Sequence, residues 1–140
     1  MKLKSVLFGG AEIKSGAANF GLLIVRGFAG AALCLAHGIN GVPPSRDLVD
    51  GVGEMGFPMP IFFAWFAALA ESLAAAMMAV GFMTRWAAFA VACTMGTAGF
   101  VAHGGDPFSK AEMAFLYLSI SLAVMFIGGG RFSIDGKLRK

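Results

Sequence analysis

The chain has 140 residues, of which 58% are hydrophobic and 14% are charged, with a formal net charge of +3. Soluble domains carry about 45–50% apolar and about 25% charged residues. The composition therefore disfavours a water-soluble globule, a disordered tail and a nucleic-acid-binding module, and it indicates an integral membrane protein.

Four stretches are apolar and long enough, or nearly so, to cross a bilayer as helices: residues 20–39, 60–83, 86–102 and 111–128. About 20 helical residues, rising about 1.5 Å each, cross about 30 Å of hydrocarbon. These spans use most of the chain and leave two longer loops, 41–59 and 103–110, at one end of the bundle. We therefore predict an all-α fold, an integral membrane four-helix bundle that forms a single domain over residues 1–140.

Lysine and arginine are distributed unevenly between the two ends of this bundle. One end carries Lys2, Lys4, Lys14, Arg85, Arg131, Lys137, Arg139 and Lys140. The opposite loops carry only Arg46 and Lys110. Cytoplasmic loops are enriched in Lys and Arg, so both termini are predicted to be cytoplasmic. The apolar run in residues 1–11 is short for a secretory signal, and we predict that this segment lies at the membrane interface.

A few polar residues lie inside the spans or at their ends, where a charge costs about 2.5–3.5 kcal/mol or more at the bilayer centre. The candidate site residues are Arg26, His37, Asn40, Glu71, His103 and Glu112. Intramembrane ionisable residues are functional candidates by default, because their cost is otherwise hard to explain.

Helical periodicity predicts which way these side chains point. Glu71 shares a face with small residues such as Ala64 and Ala75, whereas Phe62 and Phe66 lie on the opposite face. Small residues allow close helix packing and bulky apolar ones suit lipid, so Glu71 is expected to point into the bundle.

The first and third spans show the same coincidence of polar and small residues. Arg26 and His37 share a face with Gly30, and His103 ends a face that contains Gly96. We therefore predict one internal polar seam along the bundle. In the fourth span, Glu112 is assigned to the seam, and Tyr117, which lies on a different face, is not.

Because successive spans run in opposite directions, His37, His103 and Glu112 are expected near the outer surface and Glu71 near the midplane. Arg26 lies in the inner half of its span. Its guanidinium either pairs with Glu71 or extends to the phosphates at the cytoplasmic surface.

Several chemistries are compatible with such a seam. His37, His103 and Glu112 could hydrogen-bond a quinone-like headgroup, or they could simply tie helix ends together, and Glu71 is either a proton site or a packing residue. Ligation of a metal or haem is disfavoured, since Cys34 and Cys93 form no CxxC or CxxCH motif and each histidine stands alone on its helix. The chain also has no HExxH motif and no phosphate-binding glycine loop.

The order and spacing of several short motifs resemble the DoxX family of small bacterial membrane proteins. They are Arg26, His37-Gly38, Gly56-Phe57-Pro58-Met59-Pro60, Ala70-Glu71, Gly81-Phe82-Met83-Thr84-Arg85, His103-Gly104, Glu112 and Gly129-Gly130-Arg131-Phe132-Ser133-Ile134-Asp135. The resemblance runs from about residue 19 to residue 138. It implies a four-helix protein of the bacterial cytoplasmic (inner) membrane, related to the DoxD subunit of thiosulfate:quinone oxidoreductase. Near Gly41, where the family often has a lysine, this chain departs from the pattern.

From the residues and this resemblance we predict an accessory subunit of a membrane redox system that binds quinone in the seam. The chain carries no self-contained catalytic motif, so catalysis would require a partner. The alternatives are a non-enzymatic membrane scaffold or assembly subunit and, with less support, transport of protons or a small solute. The expected partners are the lipid bilayer and another membrane or redox protein, and a homo-oligomer stays open.

Overall fold

In the computed structural model, residues 2–139 are described, and they form seven helices and no strand. The helices are α1 (Lys2–Phe8), α2 (Gly16–Gly41), α3 (Arg46–Glu54), α4 (Pro60–Val80), α5 (Thr84–Ala102), α6 (Phe108–Ile127) and α7 (Ile134–Leu138). Met1 and Lys140, which entered the predicted interfacial segment and the charge distribution, lie outside the described residues.

Helices α2, α4, α5 and α6 are each long and apolar enough to cross a membrane, which confirms the four predicted spans. Their ends follow from local chemistry. Helix α2 begins at Gly16, four residues before the first predicted span, because the Ser15 hydroxyl accepts a hydrogen bond from the Ala18 amide and caps the helix. Helix α4 ends at Val80, not at residue 83, because Gly81 adopts a left-handed conformation with φ of 78°.

The four long helices pack around a core of apolar side chains. α5 and α6 pack against each other most extensively, and the second half of α4 packs against both α2 and α5. Leu33, Met78, Val91 and Val124 are fully buried between them. The bundle is thus a single apolar core closed by four neighbouring helices.

The predicted inward and outward faces of α4, and those of α2 around Gly30, are confirmed. Ala64 and Ala75 are fully buried on the Glu71 side of α4, whereas Phe62 on the opposite side is 60% exposed. On α2, Gly30 is buried and Phe28 is 76% exposed. The exposed ring of large apolar side chains is the surface that a bilayer would cover.

The first and last described segments of the chain lie at one end of the bundle, here called the terminal end. Helix α1, formed by the predicted interfacial segment, packs on α5 and α7 there. The opposite end, called the loop end, carries the 41–59 and 103–107 connections. Helix α3 lies in the first of these and packs on α4, with the Ser45 hydroxyl capping the Leu48 amide.

Three of the four long helices contain a single π-helical turn: Cys34–Gly38 near the loop end of α2, Ala70–Ala74 in the middle of α4 and Ala98–Ala102 at the loop end of α5. In each, a backbone amide donates to the carbonyl five residues earlier, as His103 does to Ala98 at 2.9 Å. Such turns occur often at functional sites, because the extra residue changes the direction of the side chains around it.

Candidate functional site

A pocket of about 280 Å³ lies between the helices toward the loop end. The residues that line it are Leu33, His37, Glu71, Met95, Ala98, His103, Lys110, Met113, Ala114 and Tyr117. We call it the loop-end pocket. It combines ionisable groups with thioether and aliphatic side chains, which is the mixture that small-molecule pockets commonly present.

The π-helical turns supply the polar lining. His37 lies in the turn of α2, Glu71 in that of α4, and His103 directly follows that of α5. The turns of α2 and α4 pack against each other at Gly38. A Cβ atom at this position would lie 2.4 Å from the carbonyl oxygen of Glu71, so only glycine permits the close approach.

The polar groups of the loop-end pocket act on one another. His37 is close enough to interact electrostatically with the half-buried Glu71. At the rim, Nδ1 of His103 lies 2.9 Å from an Asp106 carboxylate oxygen, and Nζ of Lys110 lies 3.5 Å from the other. The pocket therefore contains a histidine–carboxyl pair and has a second, exposed pair at its entrance.

Asp106 lies outside the spans and is solvent-exposed. The hydrogen bond from His103 lowers the pKa of this carboxyl below its ordinary value of 3.8, and the charge of Lys110 acts in the same direction. Asp106 therefore stays ionised near neutral pH and holds the His103 ring with Nδ1 directed at it, leaving Nε2 for another contact.

The remaining lining is apolar. Leu33, Met95 and Tyr117 are buried side chains, and the flexible thioethers of Met95 and Met113 can adapt to a flat ring. Tyr117 adds a phenolic hydroxyl to this otherwise apolar wall.

The loop-end pocket brings together three of the predicted site residues, His37, Glu71 and His103. Asn40 and Glu112 are exposed and do not line it. The assignment of Glu112 to the inward face is corrected, because α6 turns Ala111 and Ala114 toward the bundle.

Lys110 and Tyr117, which line the pocket, were not among the predicted site residues. The exclusion of Tyr117 was wrong, since it lies on the buried face of α6 with Ala114. The small residues Ala111, Ala114 and Ser121, three to four positions apart, were the signal that could have identified this face.

Arg26 does not belong to the loop-end pocket. Its fully buried guanidinium donates to the carbonyl oxygens of Met78 and Ala79 at the end of α4. It also donates to those of Gly129, at 3.1 Å, and Phe132, at 2.7 Å, in the segment after α6. Neither expected role, pairing with Glu71 or extending to lipid phosphates, describes this geometry.

Asp135 and Asn19 complete the polar cluster around Arg26, which we call the Arg26 network. The Asp135 carboxylate accepts hydrogen bonds from the amides of Met83 and Thr84, both at 2.8 Å. The Asn19 side chain accepts from the Arg131 amide at 2.7 Å. Each of these polar groups has a hydrogen-bond partner inside the protein, so we interpret the network as structural.

The predicted single seam is thus two separate polar sites at opposite ends of the bundle. The Arg26 network ties the terminal end together. The loop-end pocket carries the ionisable groups that a ligand could contact. Among the described residues 2–139, no group of three or more His, Cys, Asp or Glu side chains is arranged to hold a metal ion.

The sequence model of the DoxX family matches residues 21–104, which is more than half of the chain and includes Arg26, His37, Glu71 and His103. No curated protein and no solved structure matches it. With four helices able to cross a membrane, this chain is a multi-pass membrane protein that belongs to the DoxX family.

Proposed function

We propose that this protein is an accessory subunit of a membrane redox system and that it binds the headgroup of a quinone in the loop-end pocket. The observation that carries the proposal is the lining of this pocket. Donors from His37, His103, Lys110 and Tyr117 surround a space of about 280 Å³ that also has a carboxyl group, Glu71, and a thioether wall.

The residues present fit a quinone headgroup. Two carbonyl oxygens on opposite sides of a flat ring need donors on opposite walls, and the pocket takes its donors from α2, from the residue that follows α5 and from α6. Met95 and Met113 offer polarisable surfaces for the ring face. A bound quinone would supply two-electron, two-proton redox chemistry, which the side chains of this chain cannot provide alone.

The ionisable residues of the pocket can hold and pass protons. Glu71 is half-buried and interacts with His37, while His103 both lines the pocket and contacts the exposed Asp106. A proton could therefore pass between the loop-end solution and the pocket through the His103 imidazole. Electrons must come from or go to a partner, which supports an accessory role beside another redox protein.

The orientation across the membrane is part of the proposal. Lys4, Lys14, Arg85 and Arg131 are at the terminal end, so the positive-inside rule favours a cytoplasmic terminal end in a bacterial inner membrane. The loop-end pocket would then exchange protons with the outer side.

Binding of decylubiquinone to the purified protein tests the proposal. The protein is held on an affinity resin in detergent, and bound quinone is extracted and quantified against protein-free resin. We expect saturable binding that Glu71→Gln and His37→Gln weaken about ten-fold or more, because each removes an ionisable side chain from the pocket lining.

Glu112→Gln is the matched control, since it neutralises an exposed carboxylate of the loop end that does not line the pocket. It should leave binding unchanged. Absence of saturable binding, or equal loss in the Glu71 and Glu112 variants, would overturn the proposal. A quinone that co-purifies from native membranes and is lost in Glu71→Gln would support it independently.

A membrane scaffold is the second candidate, and helix α3 favours it. This helix buries Val52 and leaves Asp47, Asp50 and Glu54 exposed at the loop end. An acidic amphipathic helix on the surface is suited to dock a basic partner. If the protein is a scaffold, replacing these three residues with Asn or Gln should release a polypeptide that co-purifies with the wild type. Quinone binding should then be absent in the wild type and in every variant.

A further inference from the structure

A second pocket, of about 410 Å³, lies at the terminal end between α1 and α5. Its lining residues are Ser5, Val6, Arg85, Trp86, Phe89 and Met125. We call it the terminal-end pocket. It shares no residue with the loop-end pocket or the Arg26 network, and the proposed redox role does not use it.

Two hydrogen bonds build this pocket. Trp86 donates its indole Nε1–H to the Val6 carbonyl at 3.2 Å, which holds α1 against α5. Arg85 donates from Nε to the Met125 carbonyl at 2.9 Å, at the end of α6. The second bond fixes the plane of the guanidinium, whose fork of N–H groups suits the geometry of a phosphate.

Charge at the terminal-end pocket favours an anion. Arg85 is the ionisable residue in its lining, and no Asp or Glu of the described residues contributes to that lining. Lys4 is in the helix that forms one wall. Asp135, at the same end, is buried outside this lining, and its charge interacts with that of Arg26.

The pocket also continues toward the membrane surface of the bundle. Phe89 lies one helical turn beyond Arg85 in α5, and the side chains of Trp86 and Phe89 are about half exposed. Tryptophan side chains are enriched at membrane interfaces, where headgroups meet hydrocarbon. An anion bound by Arg85 would therefore have an apolar surface directly beside it.

From this geometry we propose that the terminal-end pocket binds the phosphodiester of an anionic phospholipid. The Arg85 guanidinium contacts the phosphate, and Phe89 and Met125 contact the adjoining acyl chain. A free phosphate offers the same charge to Arg85 but nothing to the apolar wall, so the structure favours the lipid as the source.

Fluorescence quenching by brominated lipids tests this proposal, because the chain has two tryptophans and Trp86 lines the pocket. In Trp65→Phe, Trp86 is the only tryptophan. This variant is placed in phosphatidylcholine vesicles doped with brominated phosphatidylglycerol or with brominated phosphatidylcholine. We expect phosphatidylglycerol to quench Trp86 with about five-fold higher apparent affinity, the effect of one cation at the interface.

Further substitutions in the Trp65→Phe background identify the site. Arg85→Gln should reduce the ratio of affinities to about one, whereas Arg85→Lys should retain most of it. Arg131→Gln removes an exposed charge at the same end and should leave the ratio unchanged. If Arg85→Gln fails to fold, Ser5→Asp places a repelling carboxylate in the pocket lining and should also abolish the preference.

The outcomes separate the two sources of phosphate. A preference that survives excess inorganic phosphate supports the lipid site. A preference that inorganic phosphate abolishes assigns the pocket to free phosphate and overturns the lipid proposal. Equal quenching by the two lipids in Trp65→Phe, or a ratio insensitive to both Arg85→Gln and Ser5→Asp, also overturns it.

Discussion

Asp135 caps the helix that begins at Thr84, although the two residues are 51 positions apart in the chain. One carboxylate oxygen accepts from the Thr84 amide at 2.8 Å and from the Thr84 hydroxyl at 2.5 Å. A long-range bond thus replaces the local side-chain cap that starts most helices. The start of the third span depends on the C-terminal segment.

Asp135→Asn is expected to destabilise the bundle by about 2–4 kcal/mol, since hydrogen bonds to a charged group contribute about 1.5–3 kcal/mol each. The free energy of unfolding can be measured by titration with a denaturing detergent, followed by circular dichroism. Asp50→Asn, which changes an exposed carboxylate of α3, is the control and should stay within about 0.5 kcal/mol of the wild type. Equal stability of the two variants would contradict the capping role.

Arg26→Gln and Arg26→Lys should both lower the free energy of unfolding by about 3 kcal/mol or more, because each leaves buried carbonyls without donors. Lysine keeps the charge but lacks the planar fork that reaches carbonyls of two separate segments. If Arg26→Lys has the same free energy of unfolding as the wild type, the positive charge alone accounts for the contribution of Arg26 to stability. Arg46→Gln is the exposed control, with an expected effect below about 0.5 kcal/mol.

The charges of Arg26 and Asp135 also act on each other. The double variant Arg26→Gln/Asp135→Asn should therefore be less destabilised than the sum of the single variants. Strict additivity in this cycle would show that the two residues stabilise the terminal end independently.

Gly38→Ala should separate α2 from α4, since the added Cβ would lie 2.4 Å from the Glu71 carbonyl oxygen and 2.5 Å from the Ser72 Cα. We expect a loss of about 1–3 kcal/mol, as for other overpacked interfaces, together with weaker ligand binding in the loop-end pocket. Gly41→Ala is the matched control, because its Cβ would meet nothing within 4 Å. The same detergent titration of both variants would test this, and equal effects would argue against close packing at Gly38.

The exposed pair at the loop end predicts a pH dependence. Because the hydrogen bond from His103 lowers the pKa of Asp106, its contribution to local structure is present above the ordinary value of 3.8 and is lost as pH falls through the lower folded value. Titration of the Asp106 carboxyl carbon by NMR should give a midpoint below 3.8. His103→Ala should raise that midpoint more than Lys110→Gln does, and the reverse order would identify Lys110 as the dominant partner.

The spans and their faces could be predicted because each depends on residues close together in sequence. A run of apolar residues decides whether a helix enters the membrane, and alternating small and bulky residues decide which side of it packs, as Ala75 and Phe62 show in α4. The predicted buried face of α6 was wrong, because Glu112 and the adjacent Ala111 point to different sides of the helix. In this helix the buried face is the one that carries the small residues, and the charged Glu112 lies outside it.

The partners of Arg26 could not be predicted, because they are backbone carbonyls and carry no residue identity. Gly129, in the segment after α6, also lies where a Cβ would collide with the side chains of Thr84 and Ser133. No residue pattern in the sequence identifies the three five-residue π-helical turns. His37 and Glu71 lie in two of these turns and His103 directly follows the third.

The hydrogen bonds from Arg26 to Gly129 and Phe132 can form only after most of the chain has been synthesised. Arg26 enters the membrane with the first helix, but these two acceptors are made 103 and 106 residues later. A nascent chain therefore carries a buried cation whose final partners do not yet exist. We expect translation intermediates arrested before Gly129 to be substrates for membrane proteases, and pulse-chase labelling of such intermediates would measure their lifetime against that of the full chain.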